Sequence, residues 1–185
     1  MVKRPFDICV SALALLALSP LLAAVAILIR RHDGGPVFYR QVRVGRGGRT
    51  FRVFKFRTMV VDADRIGGYA TADNDARITP VGRKLRRTSV DELPQLFNVL
   101  AGDMSIVGPR PDVPAQRALY TEDEFARRHS VRPGITGLAQ ATLRSDATEA
   151  QRKALDLEYV ERAGLLFDLR IIAMTVRQVL TKGGN

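Results

Sequence analysis

Between residues 8 and 29 almost every side chain is apolar, interrupted mainly by Ser11 and the pair Ser19-Pro20. A stretch of this length matches the about 20 residues that a helix needs to cross a bilayer, so it restricts the chain to architectures with a membrane-seated N-terminus. Pro20 lies near the middle, where proline withdraws a backbone donor and kinks or breaks a helix. Basic residues stand at both ends, Lys3 and Arg4 before it and Arg30, Arg31 and His32 after it. The positive-inside preference keeps both flanks on the cytoplasmic side. A helix–break–helix hairpin over residues 1–32 meets both constraints. Each arm of roughly 10–12 residues reaches only about 15–18 Å, short of a hydrocarbon core of about 30 Å. The segment then enters one leaflet and returns, with Ser19 satisfying backbone groups that Pro20 frees. A single span, and a signal peptide cleaved near Ala24-Val25-Ala26, are the alternatives.

Residues 33–185 are enough for one cytoplasmic-face domain with a real core. The formal charge of the 185-residue chain is +10, which calls for an anionic partner: nucleic acid, anionic lipid or a phosphorylated small molecule. Most of the 29 basic residues are Arg, suited to bidentate grips on phosphate. Trp is absent and no basic stripe is studded with Tyr or Phe, so a base-stacking surface for nucleic acid is not expected. The single cysteine, Cys9, excludes a disulfide framework and a cysteine-rich metal site.

After the turn at Gly34-Gly35-Pro36, residues 37–44 and 51–59 read as two strands of a β-hairpin joined by Gly45-Arg46-Gly47-Gly48. Period two places Phe51, Val53, Lys55 and Arg57 on one face. Residues 62–79 read as a polar loop, and a basic cluster of Arg83, Lys84, Arg86 and Arg87 follows. A helix begins between Ser89 and Leu93: Ser89 and Glu92 make a capping box, while Pro94, comfortable only in the first turn, favours a start nearer Asp91. Leu93, Leu96, Phe97 and Leu100 form its inward face, and Gly102 ends it. Gly108-Pro109-Arg110-Pro111 and the run from Arg132 to Gly137 are rigid loops. Thr121 and Glu124 cap a short helix. Residues 147–163 and 165–180 read as two amphipathic helices. The fold is therefore α+β and mainly helical: a re-entrant membrane segment, a small hairpin, a helix led by two carboxylates, and amphipathic interfacial helices around it.

Those carboxylates, Asp91 and Glu92, most often mean only favourable placement at a helix start, worth about 0.3–1 kcal/mol per charge. Here the membrane segment, the arginine-rich approach and the stiffened loops bearing Arg110 and Arg132 give them another context. Adjacent residues diverge by about 100° on a helix, so the pair does not flank one bond from opposite sides. It suits divided work: one group attacks phosphorus while the other holds a metal or handles a proton.

These residues bear a resemblance that runs through nearly the whole chain. Its motifs are Lys3-Arg4-Pro5-Phe6-Asp7 with Ser19-Pro20, and Gly35-Pro36-Val37-Phe38 with Gln41, Arg43 and Gly45. Then come Lys55-Phe56-Arg57-Thr58-Met59, Arg86 ahead of residues 89–100, Gly102-Asp103-Met104-Ser105, Gly108 to Pro111, and residues 131–140 with Asp156, Tyr159 and Asp168. In that order they resemble the bacterial sugar transferases, specifically the small monotopic phosphoglycosyl transferases, in their minimal form without a multispan extension. The resemblance implies transfer of a sugar-1-phosphate from a UDP-sugar to polyprenyl (undecaprenyl) phosphate at the cytoplasmic face of the bacterial inner membrane. UMP is released and Mg²⁺ is required. It maps the nucleophile onto Asp91, its partner onto Glu92, and the re-entrant break onto Ser19-Pro20. On this reading Asp91 and Glu92 hold the metal, and Lys55, Arg57, Arg86, Arg110 and Arg132 bind substrate phosphates. Membrane lipids and downstream glycosyltransferases are the other partners. Where the family commonly continues Val-Asn-Gly-Arg, this chain has Ala141-Thr142-Leu143-Arg144. The rivals from other classes are a basic nucleic-acid-binding protein and a membrane scaffold without chemistry.

Overall fold

The computed structural model describes residues 2–67, 75–143 and 148–182; the middle of the expected polar loop and Arg144 lie outside them. The apolar segment forms a single helix of 31 residues, α1 (Lys3–Asp33), with Pro20 inside it. The expected division into two arms is thus corrected. An Ala- and Leu-rich sequence on both sides sustains the helix across a proline that costs about 3 kcal/mol. Ser19 Oγ donates to the Leu16 carbonyl at 2.8 Å.

Both ends of α1 dock on one body. Near its start Asp7 is buried and accepts from Ser105 Oγ (2.8 Å) and Ile106 N (3.2 Å). Lys3 pairs with Asp168 and donates to the Val107 carbonyl at 3.0 Å. Near its end Val25 and Ile29 pack with Phe56 and Leu85, and Asp33 accepts from Arg57 Nη1 at 2.6 Å. Between these anchors Leu13 and Leu16 are exposed.

The hairpin forms as expected, except that its second strand ends at Phe56 rather than at residue 59. Strands β1 (Phe38–Val44) and β2 (Thr50–Phe56) pair antiparallel, with Tyr39 opposite Lys55 and Arg43 opposite Phe51. The short helix α2 (Ala63–Ile66) lies within the expected loop. Helix α3 (Pro80–Arg87) carries the basic cluster and is capped by Thr79 Oγ1, which accepts from Gly82 N at 2.9 Å. It lies so close to the chain leaving β2 that a Cβ on Gly82 would fall 1.9 Å from the Thr58 carbonyl oxygen.

Helix α4 (Gln95–Ala101) stops at Gly102, left-handed at φ 95°, as expected. Its inward face is the expected one only in part: Leu96 is buried, but Asn98 and Val99 are fully buried as well, whereas Phe97 is 46% exposed. The Asn98 amide accepts from Phe54 N (2.8 Å) and donates to the Arg52 carbonyl (2.9 Å), pairing with the edge of β2. Satisfying those backbone groups outweighs burying one more ring, and Phe97 turns toward α1.

Residues expected as a rigid loop form β4 (Gly134–Thr136), which pairs parallel with β3 (Ser105–Val107). That approach needs Gly134, where a Cβ would lie 2.1 Å from Gly108 N. Helix α5 (Glu122–Arg128) begins at the expected Thr121–Glu124 capping box. Helices α6 (Leu138–Leu143), α7 (Glu149–Arg162) and α8 (Leu165–Lys182) complete the body. Ile171 and Tyr159 are buried with Val107, and Val53 with Val99 and Met104.

Candidate active site

Asp91 and Glu92 do not start α4. They lie in a 3-10 turn ahead of it, Val90–Glu92, and the Ser89 side chain caps nothing. The capping box is corrected because Glu92 has stronger partners. Its Oε1 accepts from Lys55 Nζ at 2.6 Å and from Arg110 Nη2 at 2.7 Å, while Oε2 has a single 3.4 Å contact with Arg110. Two charge-assisted bonds are worth more than one bond to a neutral backbone N–H. Ser89 takes a left-handed conformation (φ 55°) that reverses the chain after α3. Asp91 then points into a cavity of about 620 Å³, between the hairpin, α3 and Arg110.

The carboxylates are in opposite electrostatic states. Burial opposes ionisation of Glu92, but Arg110 and Lys55 overcome it and hold its pKa well below the ordinary range. Asp91 is only 7% exposed, and its carboxylate has no hydrogen bond or ion pair among the described residues. Burial first, then repulsion from Glu92, raises its pKa, against the pull of Lys55, Arg86 and Arg110. A desolvated carboxylate at a cavity wall, with its pKa displaced by burial and a like charge, is the kind of environment in which functional groups cluster.

The charged part of the lining is mostly cationic: eight Lys and Arg side chains against the carboxylates of Asp62 and Asp91. Lys55, Arg57, Arg86 and Arg110 are all there. Arg57 does not project beside Lys55, because the strand ends at Phe56 and Arg57 is clamped by Asp33 and the Pro36 carbonyl (2.7 Å). It orients the end of α1. Arg132 is not in the cavity at all: its Nε donates to the Gly102 carbonyl at 2.8 Å, at the far end of α4. Expectation placed it at a substrate phosphate; the turn into β4 carries it away.

Two residues were missed as site members. Arg43 faces the cavity, its Nη1 on the Pro111 carbonyl at 2.9 Å, while its buried Nε has no partner among the described residues. A bound phosphate oxygen would supply one. The alternation of polar Tyr39, Gln41 and Arg43 on the strand face that carries Lys55 was the available signal. Arg128, fully buried, pairs with Asp112 and with Asp156 (2.7 Å) and donates to the Arg110 carbonyl at 2.8 Å, fixing the backbone that presents Arg110. Asp112 and Asp156 are distant from it in sequence; Asp156 stood in the resemblance, but no local pattern paired either with Arg128.

For a divalent metal the donors are Asp91 and the less engaged Oε2 of Glu92; no cluster of three acidic, His or Cys groups exists among the described residues. Mg²⁺ usually takes one or two carboxylates with substrate phosphates rather than a protein-only cage, so this set fits such an ion.

A second cavity, about 540 Å³ and almost wholly apolar, lies between α1 and α4. It shares Phe38 and Phe56 with the cationic one and is walled by Leu16, Ala26 and Phe97.

The family described as bacterial sugar transferase matches residues 1–182. The chain is 46% identical to the undecaprenyl-phosphate glucose phosphotransferase of Komagataeibacter xylinus, over 95% of this chain but 35% of that relative. It is 47% identical to the exopolysaccharide production protein PSS of Rhizobium leguminosarum bv. phaseoli, over 98% of this chain and 96% of the relative. It is 42% identical to the UDP-N-acetylgalactosamine-undecaprenyl-phosphate N-acetylgalactosaminephosphotransferase of Aeromonas hydrophila, over 99% of this chain and 44% of the relative. The chain thus spans less than half of two of these relatives and nearly all of the third.

Proposed function

The chain belongs to the bacterial sugar transferase family, and from that membership we propose that it moves a sugar-1-phosphate from a UDP-sugar to a polyprenyl phosphate by way of Asp91. The observation that carries this reading is the buried Asp91 carboxylate, without a hydrogen bond or ion pair among the described residues, in the wall of a cavity whose charged groups are mostly cationic. An Asp91 oxygen attacks the β-phosphorus, the bond from phosphorus to the bridging oxygen breaks, and UMP leaves with that oxygen. A phosphate oxygen of the acceptor then attacks the same phosphorus and releases the Asp91 carboxylate. Lys55, Arg86 and Arg110 neutralise charge on the transferring phosphoryl group, and Arg43 Nε supplies a further donor. Glu92 holds Lys55 and Arg110 in place. When bound at Asp91 and Glu92, Mg²⁺ would supply charge neutralisation of the diphosphate.

The apolar cavity suits the acceptor. With its phosphate beside Asp91, its chain leaves past Phe38 and Phe56 into the groove under α1. The assay is UMP release from UDP-glucose or UDP-N-acetylgalactosamine. Release should require undecaprenyl phosphate for turnover and fall at least tenfold in kcat/KM with a five-carbon prenyl phosphate, which cannot fill the groove. No release with any UDP-sugar defeats the proposal; indifference to chain length defeats the groove.

The path of α1 in the membrane is also part of this proposal. A span of about 30 Å would carry one end away from the domain, yet Lys3, Asp7, Ile29 and Asp33 all contact the same body. The helix therefore dips into the cytoplasmic leaflet without crossing. Single cysteines at Val2 and Arg31 in a Cys9→Ser background should both label from the cytoplasmic side; labelling of either from the opposite side refutes this topology.

A further inference from the structure

We propose that Arg4, Arg46 and Arg132, with Arg49 at the rim, form a second anion site that takes the phosphate of an anionic phospholipid headgroup. Two cavities of about 540 and 290 Å³ share Arg46 and Arg132; Arg49 lines the larger, and Arg4 the smaller. Each guanidinium is oriented by a backbone carbonyl. Arg46 Nε donates to Ser130 O at 3.0 Å, Arg132 Nε to Gly102 O at 2.8 Å, and Arg4 bridges Val99 O (2.6 Å) and Leu100 O (3.1 Å). The terminal nitrogens of Arg46 and Arg132 have no hydrogen-bond partner among the described residues.

The carboxylates that line the two cavities, Asp7 and Asp103, are outnumbered by Arg4, Arg46, Arg49 and Arg132. Asp7 accepts from Ser105 and Ile106, and Asp103 from Asn98 at 3.3 Å. Burial, then the proximity of Arg4 and Arg46, lowers the pKa of Arg132. Capping the carbonyl end of α4 explains Arg4; it does not explain Arg46, nor the unused fork of Arg132. Planar forks with two free ends match a phosphate.

The phosphate is not the reacting one. Asp91 lies in the turn ahead of α4 and Gly102 at its other end, so the seven residues of α4 alone separate the two sites by roughly 10 Å at about 1.5 Å per residue. The ligand is assigned to a lipid because Arg4 stands at the start of the apolar helix α1, where a membrane of negative surface potential presents headgroup phosphates.

The test titrates dihexanoyl phosphatidylglycerol into the full chain in neutral detergent, followed by calorimetry. Wild type should bind one equivalent saturably, dihexanoyl phosphatidylcholine should not saturate, and Arg46→Gln/Arg132→Gln should weaken binding at least tenfold. Because Arg132→Gln also removes the bond to Gly102, Arg46→Gln/Arg49→Gln, at two exposed positions, provides the second measurement with the same loss expected. Equal binding by wild type and both variants, or no saturable binding by wild type, overturns the site. Inorganic phosphate binding as tightly as the lipid, and competing with it, overturns the lipid assignment and leaves a free-phosphate site.

Discussion

Replacing Asp91 by Asn should leave the fold intact and cut sugar-phosphate transfer by at least about a thousandfold, the scale of losing a covalent nucleophile. The stability side has a definite sign. Burial and Glu92 raise the Asp91 pKa in the folded protein, so its contribution to stability is complete at low pH and is lost as pH rises through that value. At neutral pH the ionised group already destabilises the fold, and Asn at this site should melt at or slightly above wild type. A residue kept for structure would behave in the opposite way. Glu92→Gln separates the roles, since it loosens Lys55 and Arg110 without removing the attacking oxygen: transfer slows but the first step survives. Wild-type transfer should also fall on acidification at a pH above the ordinary carboxylate range, as Asp91 takes up its proton. Equal transfer by Asp91→Asn and wild type in the UMP-release assay would exclude Asp91 as nucleophile.

Arg128→Met should have the largest effect on stability. Arg128 neutralises Asp112 and Asp156 in a site where all three are buried, and Asp156 is pushed upward in pKa by its burial even with Arg128 present. Removing one partner of a buried ion pair costs about 3–5 kcal/mol, which lowers Tm by roughly 6–20 °C in a chain of this size. The surviving fold should transfer slowly, because Arg128 also holds the Arg110 carbonyl. Arg128→Lys keeps the charge but loses the fork, and should fall between the two. Thermal unfolding in detergent followed by circular dichroism gives the measurement, and a Tm within about 2 °C of wild type would show that the triad is not a stabilising unit.

What could be read in advance was local. The Thr121–Glu124 box, the stop at Gly102 and the glycine-linked hairpin depend on neighbours within a few residues, and each formed as expected. The Ser89–Glu92 box had the same local signature and failed, because folding brought Lys55 and Arg110 within 2.7 Å of Glu92. Phe97 fitted a helical apolar stripe, but Asn98 found the edge of β2 and set the rotation of α4. The parallel pairing of β3 with β4 joins segments far apart in the chain, a contact no periodicity announces. The same limit applies to the cations. Lys55, Arg86 and Arg110 converge on the cavity that Asp91 lines. Arg132 looked equivalent in its stiffened loop, but lies at the other end of α4. Charge and rigidity were legible, whereas direction required the fold.

The central claim is that Asp91 accepts the sugar phosphate before the lipid does, and it is tested by intact-protein mass measurement after rapid mixing with UDP-sugar in the absence of acceptor. The expected result is a mass increase of one sugar phosphate with matching UMP, present in wild type and Glu92→Gln, absent in Asp91→Asn, and discharged when undecaprenyl phosphate is added. An increase that persists in Asp91→Asn, or turnover by wild type without any covalent increase, would contradict it.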